Sequence, residues 1–250
     1  MLYNMKRKIS LLVASLLLVS AASEIMAQNA FKSANPYFQP EELPDMCIWL
    51  PAPPAADSPE FALDVARYEW GKSVRENDPA RLALAIKQAD ASVGNFCEEF
   101  SAPFGMTISK ERTPKIFKLL VNSVATCATI AHSPKNHYMR PRPFIHFEEK
   151  TPIPNHESNL GDNGSYPSGH TTRGWAAALL LMEINPDASI DLLKMGLMQG
   201  DSRMIVGYHW QSDVTAARLG AAAAVAKLHS SKRFNKDMQA AKREFKRLSK

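Results

Sequence analysis

The sequence predicts an all-α protein, folded as a single helical-bundle domain. Three observations carry this. Glycine is sparse, at 11 of 250 residues, while proline reaches 17, a balance that suits proline-punctuated helices better than a glycine-rich sheet. Capping residues followed by proline recur ahead of apolar residues at helical spacing. No segment alternates apolar and polar residues as a half-buried strand does. With 45% hydrophobic and 22% charged residues, the composition is that of an ordinary globular protein, which excludes disorder, a disulfide-dense miniprotein and a multi-pass membrane protein.

Taken in order, the chain opens with MLYNMKRKISLLVASLLLVSAASEIMAQ, where Lys6, Arg7 and Lys8 precede an apolar stretch over 9–22 and Ala27 stands at a cleavage point. This is the pattern of a secretory signal peptide over 1–27, too short for a comfortable transmembrane helix. It implies an exported protein, periplasmic or secreted, with a mature chain of 28–250. No further apolar span is read past residue 27. Residues 28–57, rich in proline, read as a loop-like lead-in.

Helices then open at Ser58-Pro59, Asp78-Pro79 and Thr113-Pro114, each a capping residue with proline at the first helical position. Apolar residues follow at roughly helical spacing: Phe61, Val65 and Tyr68, then Leu82, Leu84 and Ile86, then Ile116, Leu119, Leu120, Val124 and Cys127. Pro134 is read as closing the third helix. A loop-rich middle runs over 135–167, and helices resume over 171–183, 188–198 and 210–228. The last stretch, 231–250, spaces Phe234, Met238, Ala241, Phe245 and Leu248 as a basic amphipathic helix, expected to pack its apolar face on the body.

The formal net charge of +5 invites a nucleic-acid reading, which its location removes. The leader carries +2 and residues 227–250 carry +7, so residues 28–226 sum to −4. No nucleic-acid polymer is expected as partner. The three cysteines, Cys47, Cys97 and Cys127, have no CxxC or metal-ligand spacing. After export a Cys47–Cys97 disulfide is expected, with Cys127 a buried free thiol.

Three segments concentrate chemistry: Lys135 to Pro143 (KNHYMRPRP), Pro167 to His170 (PSGH), and Ser202 to Asp213 (SRMIVGYHWQSD). Singly, each has a plain explanation in surface charge, a helix cap or a helical ion pair. Together they build a phosphoryl site. Lys135, Arg142 and Arg203 supply three cations, the guanidiniums as forks and the lysine as a point charge. Ser168, Gly169 and His170 open a helix, whose N–H groups and dipole face an anion. Gly169 admits close backbone approach. Asp213, four residues after His209, can accept one imidazole proton and leave the other nitrogen bare as a nucleophile, with His170 the remaining proton donor.

These blocks form K-x6-R-P, P-S-G-H and S-R-x5-H-x3-D, with 23 residues between the first two and 31 between the second and third. The chain resembles the phosphatidic-acid phosphatase type 2 and vanadium haloperoxidase superfamily. Its flanks GSYPSGHTT and ARYEWGKSVR make it similar to a class A bacterial non-specific acid phosphatase. The resemblance implies in-line attack by His209, an orienting role for Asp213, and His170 as acid and then base. It implies phosphoryl binding by Lys135, Arg142, Ser168, Gly169 and Arg203, no metal or other cofactor, and a homo-oligomer. The expected activity is hydrolysis of phosphate monoesters through a phosphohistidine, with phosphotransfer as a side reaction. Nucleotide diphosphohydrolysis and vanadium-dependent haloperoxidation remain rival uses of the same pocket. A non-enzymatic anion-binding protein has no need for His170 or the His209–Asp213 pair.

Overall fold

The computed structural model describes residues 34–250, so the expected signal peptide over 1–27 lies outside the described residues. Among the described residues every regular element is helical. The longer ones are α1 (Pro59–Asn77), α2 (Pro79–Lys87), α3 (Val93–Phe104), α4 (Pro114–Ala128), α5 (His132–Tyr138), α6 (Gly169–Ile184), α7 (Ser189–Ile205), α8 (Gln211–Leu228) and α9 (Lys232–Leu248).

The three cap–proline pairs open α1, α2 and α4. Ser58 Oγ accepts the Phe61 N–H at 3.1 Å and Asp78 Oδ1 accepts the Arg81 N–H at 2.9 Å, as N-caps do. Thr113 makes no such cap, because its hydroxyl is turned to the Thr107 and Ser109 carbonyls. Glu244 of α9 caps α4 instead, its Oε2 accepting the Lys115 and Ile116 N–H groups at 2.9 Å each. The basic tail is therefore stitched to the body by its buried acid. Phe234, Met238 and Ala241 are buried beside it, Phe245 is partly buried and Leu248 is exposed.

α6 is the central helix, packed against α4, α7 and α8. It buries residues on every side, among them Thr172, Ala176, Ala177, Leu180 and Leu181, as a helix enclosed by others must. α8 packs on it and buries small residues, Ala217, Ala221 and Ala224, while its Gly220 makes room for Met46, whose Sδ would lie 2.7 Å from a Cβ there. Gly71 does the same for α1: a Cβ there would lie 2.7 Å from the Met204 carbonyl oxygen. α1 is thereby seated against the end of α7.

Several expectations are corrected. Pro134 does not close a helix. The chain leaves α4, makes one 3-10 turn at Thr129–Ala131 and enters α5, where Pro134 is third and its missing N–H falls among groups that are unpaired in a first turn anyway. Lys135 thus sits in a helix, and the supposed loop over 135–167 contains short helices at Pro143–His146 and Glu157–Gly161 and a 3-10 turn at Pro154–His156. α3 was not expected; Ser92 caps it without a following proline, and Pro103 stands in its last turn. The helix expected over 188–198 runs on to Ile205, carrying Arg203 in its last turn. Within 34–57 the lead-in holds a short helix, Met46–Trp49, and a 3-10 turn, Pro40–Glu42.

The cysteines are all free, against the expected Cys47–Cys97 disulfide. Cys97 is buried in the core, while Cys47 sits on Met46–Trp49 with its Sγ 3.6 Å from Ser133 Oγ. The stretch Pro114–His146 also corrects the reading that no apolar span follows residue 27. It is long and apolar enough to cross a membrane, but most of its apolar stretch is buried inside the fold, as in a core segment.

Candidate phosphoryl site

The three sequence segments reach one place because three helix ends converge there. α5 brings Lys135 and leads into Arg140 and Arg142; α6 begins at Gly169; α7 ends just after Arg203, and a turn through Gly207, at φ +77°, delivers His209 ahead of α8. The Ser168 N–H donates to the Asp213 carbonyl at 3.1 Å, joining the start of α6 to the first turn of α8. Gly164 is pressed against the Lys135 carbonyl, with no room for a Cβ. That close approach lets Lys135 Nζ donate to the Gly164 carbonyl at 2.6 Å.

His209 is 3% exposed, which excludes the surface-pair reading. Its Nδ1 lies 3.3 Å from Asp213 Oδ2 and its Nε2 lies 3.1 Å from Arg142 Nη1. A guanidinium only donates, so Nε2 must accept and the ring proton belongs on Nδ1, toward Asp213. Asp213 is itself held: Oδ2 accepts the Trp210 N–H at 2.9 Å and Oδ1 accepts from Arg140 Nη1 at 2.7 Å. His209 stands two residues before α8, so the pair spans the helix N-terminus.

The cations differ in what they have free. Arg142 is already engaged, by the carbonyls of Leu160 at 2.9 Å and Tyr208 at 3.0 Å and by His209. Arg203 is fully buried, donates through Nη2 to the Ala85 carbonyl at 3.3 Å, and leaves buried Nε and Nη1 without a hydrogen-bond partner among the described residues. Buried donors without acceptors are costly, so Arg203 holds two N–H groups available to an incoming acceptor. Burial, with Arg142 nearby, brings Lys135 down to about 7. Arg142 and Arg203 are brought down to about 10, chiefly by burial, and stay charged at neutral pH.

His170 is the second residue of α6 and is partly exposed, its Nε2 3.2 Å from the Ala89 carbonyl. Burial, then the charges of Arg203 and Arg173 and the neighbouring His209, hold it well below the ordinary imidazole range. His209 is held well below that range as well, by burial and then by Arg142, Lys135 and Arg203. A Cβ on Gly169 would meet nothing within 4 Å. Ser168 spends its Oγ on the cap, accepting from the Thr171 hydroxyl at 3.0 Å and, more weakly, from the Thr171 N–H at 3.4 Å.

Three further charged residues belong here and were not read from the sequence. Arg173, one turn beyond His170, acts on both His170 and Lys135. Arg140 bridges Asp213 to Asp64, its Nη2 2.7 Å from Asp64 Oδ2. The available signals were a second arginine in MRPRP, and an aspartate three residues after Phe61 and four before Tyr68 on the inward face of α1. Among the described residues, no group of three or more His, Cys, Asp or Glu is gathered to hold a metal ion. Among the aromatic side chains, Phe144, Tyr166 and Trp210 are buried in the fold, whereas Trp49 is 41% exposed.

An all-helical frame with buried cations around a His–Asp pair defines a class of phosphoryl-handling protein, and comparison with known proteins agrees. The family model described as PAP2 superfamily matches residues 117–236, a segment containing all three motif blocks. The chain is 44% identical over 215 residues to a non-specific acid phosphatase of Providencia stuartii, covering 86% of each chain. It is 36% identical over 214 residues to one of Salmonella typhimurium, covering 85% of each. An acid phosphatase of Zymomonas mobilis is 30% identical over 234 residues, covering 91% of this chain and 88% of its own. The chain belongs to the PAP2 superfamily.

Proposed function

We propose that the protein is an acid phosphatase hydrolysing phosphate monoesters, with His209 as the nucleophile. One observation carries the reading: His209 presents a bare Nε2 beside the Arg142 guanidinium, with its other nitrogen committed to Asp213. The relatives named as acid phosphatases over most of the chain support the same activity.

In this reading the phosphoryl group lies between His209 Nε2 and His170. Its equatorial oxygens take hydrogen bonds from Arg203 Nε and Nη1, from Lys135, from remaining Arg142 donors, and from the first N–H groups of α6 at Gly169 and His170. Nε2 attacks phosphorus in line, the P–O bond to the leaving group breaks, and His170 gives that oxygen its proton. Asp213 stabilises the imidazolium that forms as the N–P bond is made. Neutral His170 then takes a proton from water, whose oxygen attacks phosphorus. The N–P bond breaks, releasing phosphate and restoring His209. The positive charge that a divalent ion supplies elsewhere comes here from side chains.

The leader over 1–27 is read as directing export, to the periplasm or the medium, and the active form as a homo-oligomer. The test is a substrate panel on purified protein with EDTA present, setting aryl phosphate, nucleoside mono- and triphosphates and pyrophosphate side by side. Hydrolysis of monoesters is the expected outcome. Turnover confined to diphosphates, or halide oxidation with vanadate in place of phosphatase activity, would overturn the reading.

A further inference from the structure

We propose that Asp64 and Arg140 are positioning residues for the nucleophile, locking the carboxylate of Asp213 through a buried relay that begins on α1. The proposal rests on the reading of His209 as nucleophile. Trp210, the N-cap of α8, makes no side-chain cap, so the first N–H groups of that helix need acceptors from elsewhere. Asp64 supplies one from 148 positions away, its Oδ1 accepting the Ser212 N–H at 2.7 Å while its Oδ2 accepts the Ser212 hydroxyl at 2.5 Å. Arg140 closes the frame. Nη2 donates to Asp64 Oδ2 at 2.7 Å, and Nη1 donates to Ser212 Oγ and to Asp213 Oδ1, each at 2.7 Å.

Each oxygen of Asp213 therefore has a separate task. Oδ1 is anchored by Arg140, leaving Oδ2 to face the Trp210 N–H and His209 Nδ1. Asp64, Arg140 and Asp213 are 1%, 7% and 0% exposed. Buried ion networks contribute little stability relative to apolar packing of the same volume, so stability alone gives weak reason for this one, and its last hydrogen bond ends on His209. Asp64 balances Arg140: without it the guanidinium has one carboxylate to hold and draws Asp213 away from the ring. Asp64 also lies outside the segment matched by the family model, so α1 completes a site whose motif residues all come from later in the chain.

The test uses the full chain with Asp64→Asn, Arg140→Lys, Ser212→Ala, Asp213→Asn and the Asp64→Asn/Asp213→Asn double variant, with His209→Ala as control. Measured are kcat, KM for an aryl phosphate and the inhibition constant of inorganic phosphate. Asp64→Asn and Arg140→Lys are expected to lower kcat about 10- to 100-fold, the scale typical of residues that orient a functional group's partner, with KM and phosphate inhibition within about twofold. Lysine, a point charge, cannot span both carboxylates. On the Asp213→Asn background, adding Asp64→Asn is expected to cost less than about threefold more, because coupled residues are non-additive. A fully multiplicative double variant, or a parallel loss of phosphate binding, overturns the relay. If Asp64→Asn does not fold, Ser212→Ala decides: lower kcat with phosphate binding kept supports the relay, and unchanged kcat overturns it. An active His209→Ala sinks the nucleophile assignment itself, an outcome distinct from an inactive His209→Ala beside a fully active Asp64→Asn.

Discussion

Arg142 Nη1 lies 3.1 Å from His209 Nε2, while His209 Nδ1 lies 3.3 Å from Asp213 Oδ2. These two contacts assign the tautomer by what each partner can do, since one only donates and the other, ionised, only accepts. They also make the assignment testable.

His209→Ala is expected to abolish turnover and the trapping of phosphoenzyme from labelled substrate in an acid quench. Asp213→Asn should lower kcat by roughly 10³- to 10⁴-fold, the scale on which loss of an orienting aspartate imposes the wrong tautomer. The Asn amide would donate to Nδ1 and move the ring proton to Nε2, against the Arg142 donor. An Asp213→Asn enzyme within tenfold of the parent would refute the tautomer argument.

His170→Ala is expected to discriminate between leaving groups. An alkoxide needs a proton as the P–O bond breaks, whereas a nitrophenolate leaves without one. The loss in kcat should approach about 10²- to 10⁴-fold for alkyl phosphates, the range for general acid catalysis, and be far smaller for para-nitrophenyl phosphate. Equal losses on both would remove His170 from the acid's role.

Rate should favour acid pH, and the signs follow from the two histidines. His209 is held well below the ordinary imidazole range, so its Nε2 lone pair survives into acid solution. His170 is depressed too, yet must be protonated to act, so its active form is lost as pH rises; bound phosphate dianion opposes that loss. A profile of kcat/KM that falls from acid toward alkaline pH is expected. One that is flat from pH 4 to 9 contradicts it.

Lys135, at about 7, adds a second pH dependence. It is charged below that value and neutral above, so inhibition by sulfate, a dianion throughout, should weaken as pH rises through about 7. Lys135→Arg should remove that limb, because a guanidinium stays protonated. Sulfate inhibition independent of pH between 6 and 8 in the parent enzyme would count against a titrating Lys135.

Glu244→Ala should destabilise without touching catalysis. Its carboxylate caps two N–H groups of α4 at 2.9 Å and is 7% exposed. Losing a cap and leaving donors unpaired costs about 2 kcal/mol, or roughly 4–8 °C in Tm for a chain of this size. Unchanged kcat with lowered Tm is the expected pair of results in thermal denaturation and steady-state assays.

Much of the molecule was legible because its signals are local. Ser58 and Asp78 cap their helices by hydrogen bonds spanning three residues, and three motif blocks named polar groups that the fold gathers in one place. Thr113 shows the limit: its context is that of a cap, yet its hydroxyl serves the turn before α4 and an acid 131 positions later does the capping. Cys47 and Cys97 show another, since a disulfide depends on where two backbones lie, and compartment and count alone do not supply that.

The sequence by itself determined the helical class and most helix starts, and it singled out the histidines, the aspartate and the three cations that the fold brings together, because each depends on residue type and short spacing. Tertiary structure alone decided which donors of those cations are free, which nitrogen of His209 is bare, and that Asp64 and Arg140 stand behind Asp213. The reason is physical: hydrogen-bond partners and burial are properties of surfaces brought together, and here a carboxylate of α1 meets the first turn of α8 across 148 positions of chain.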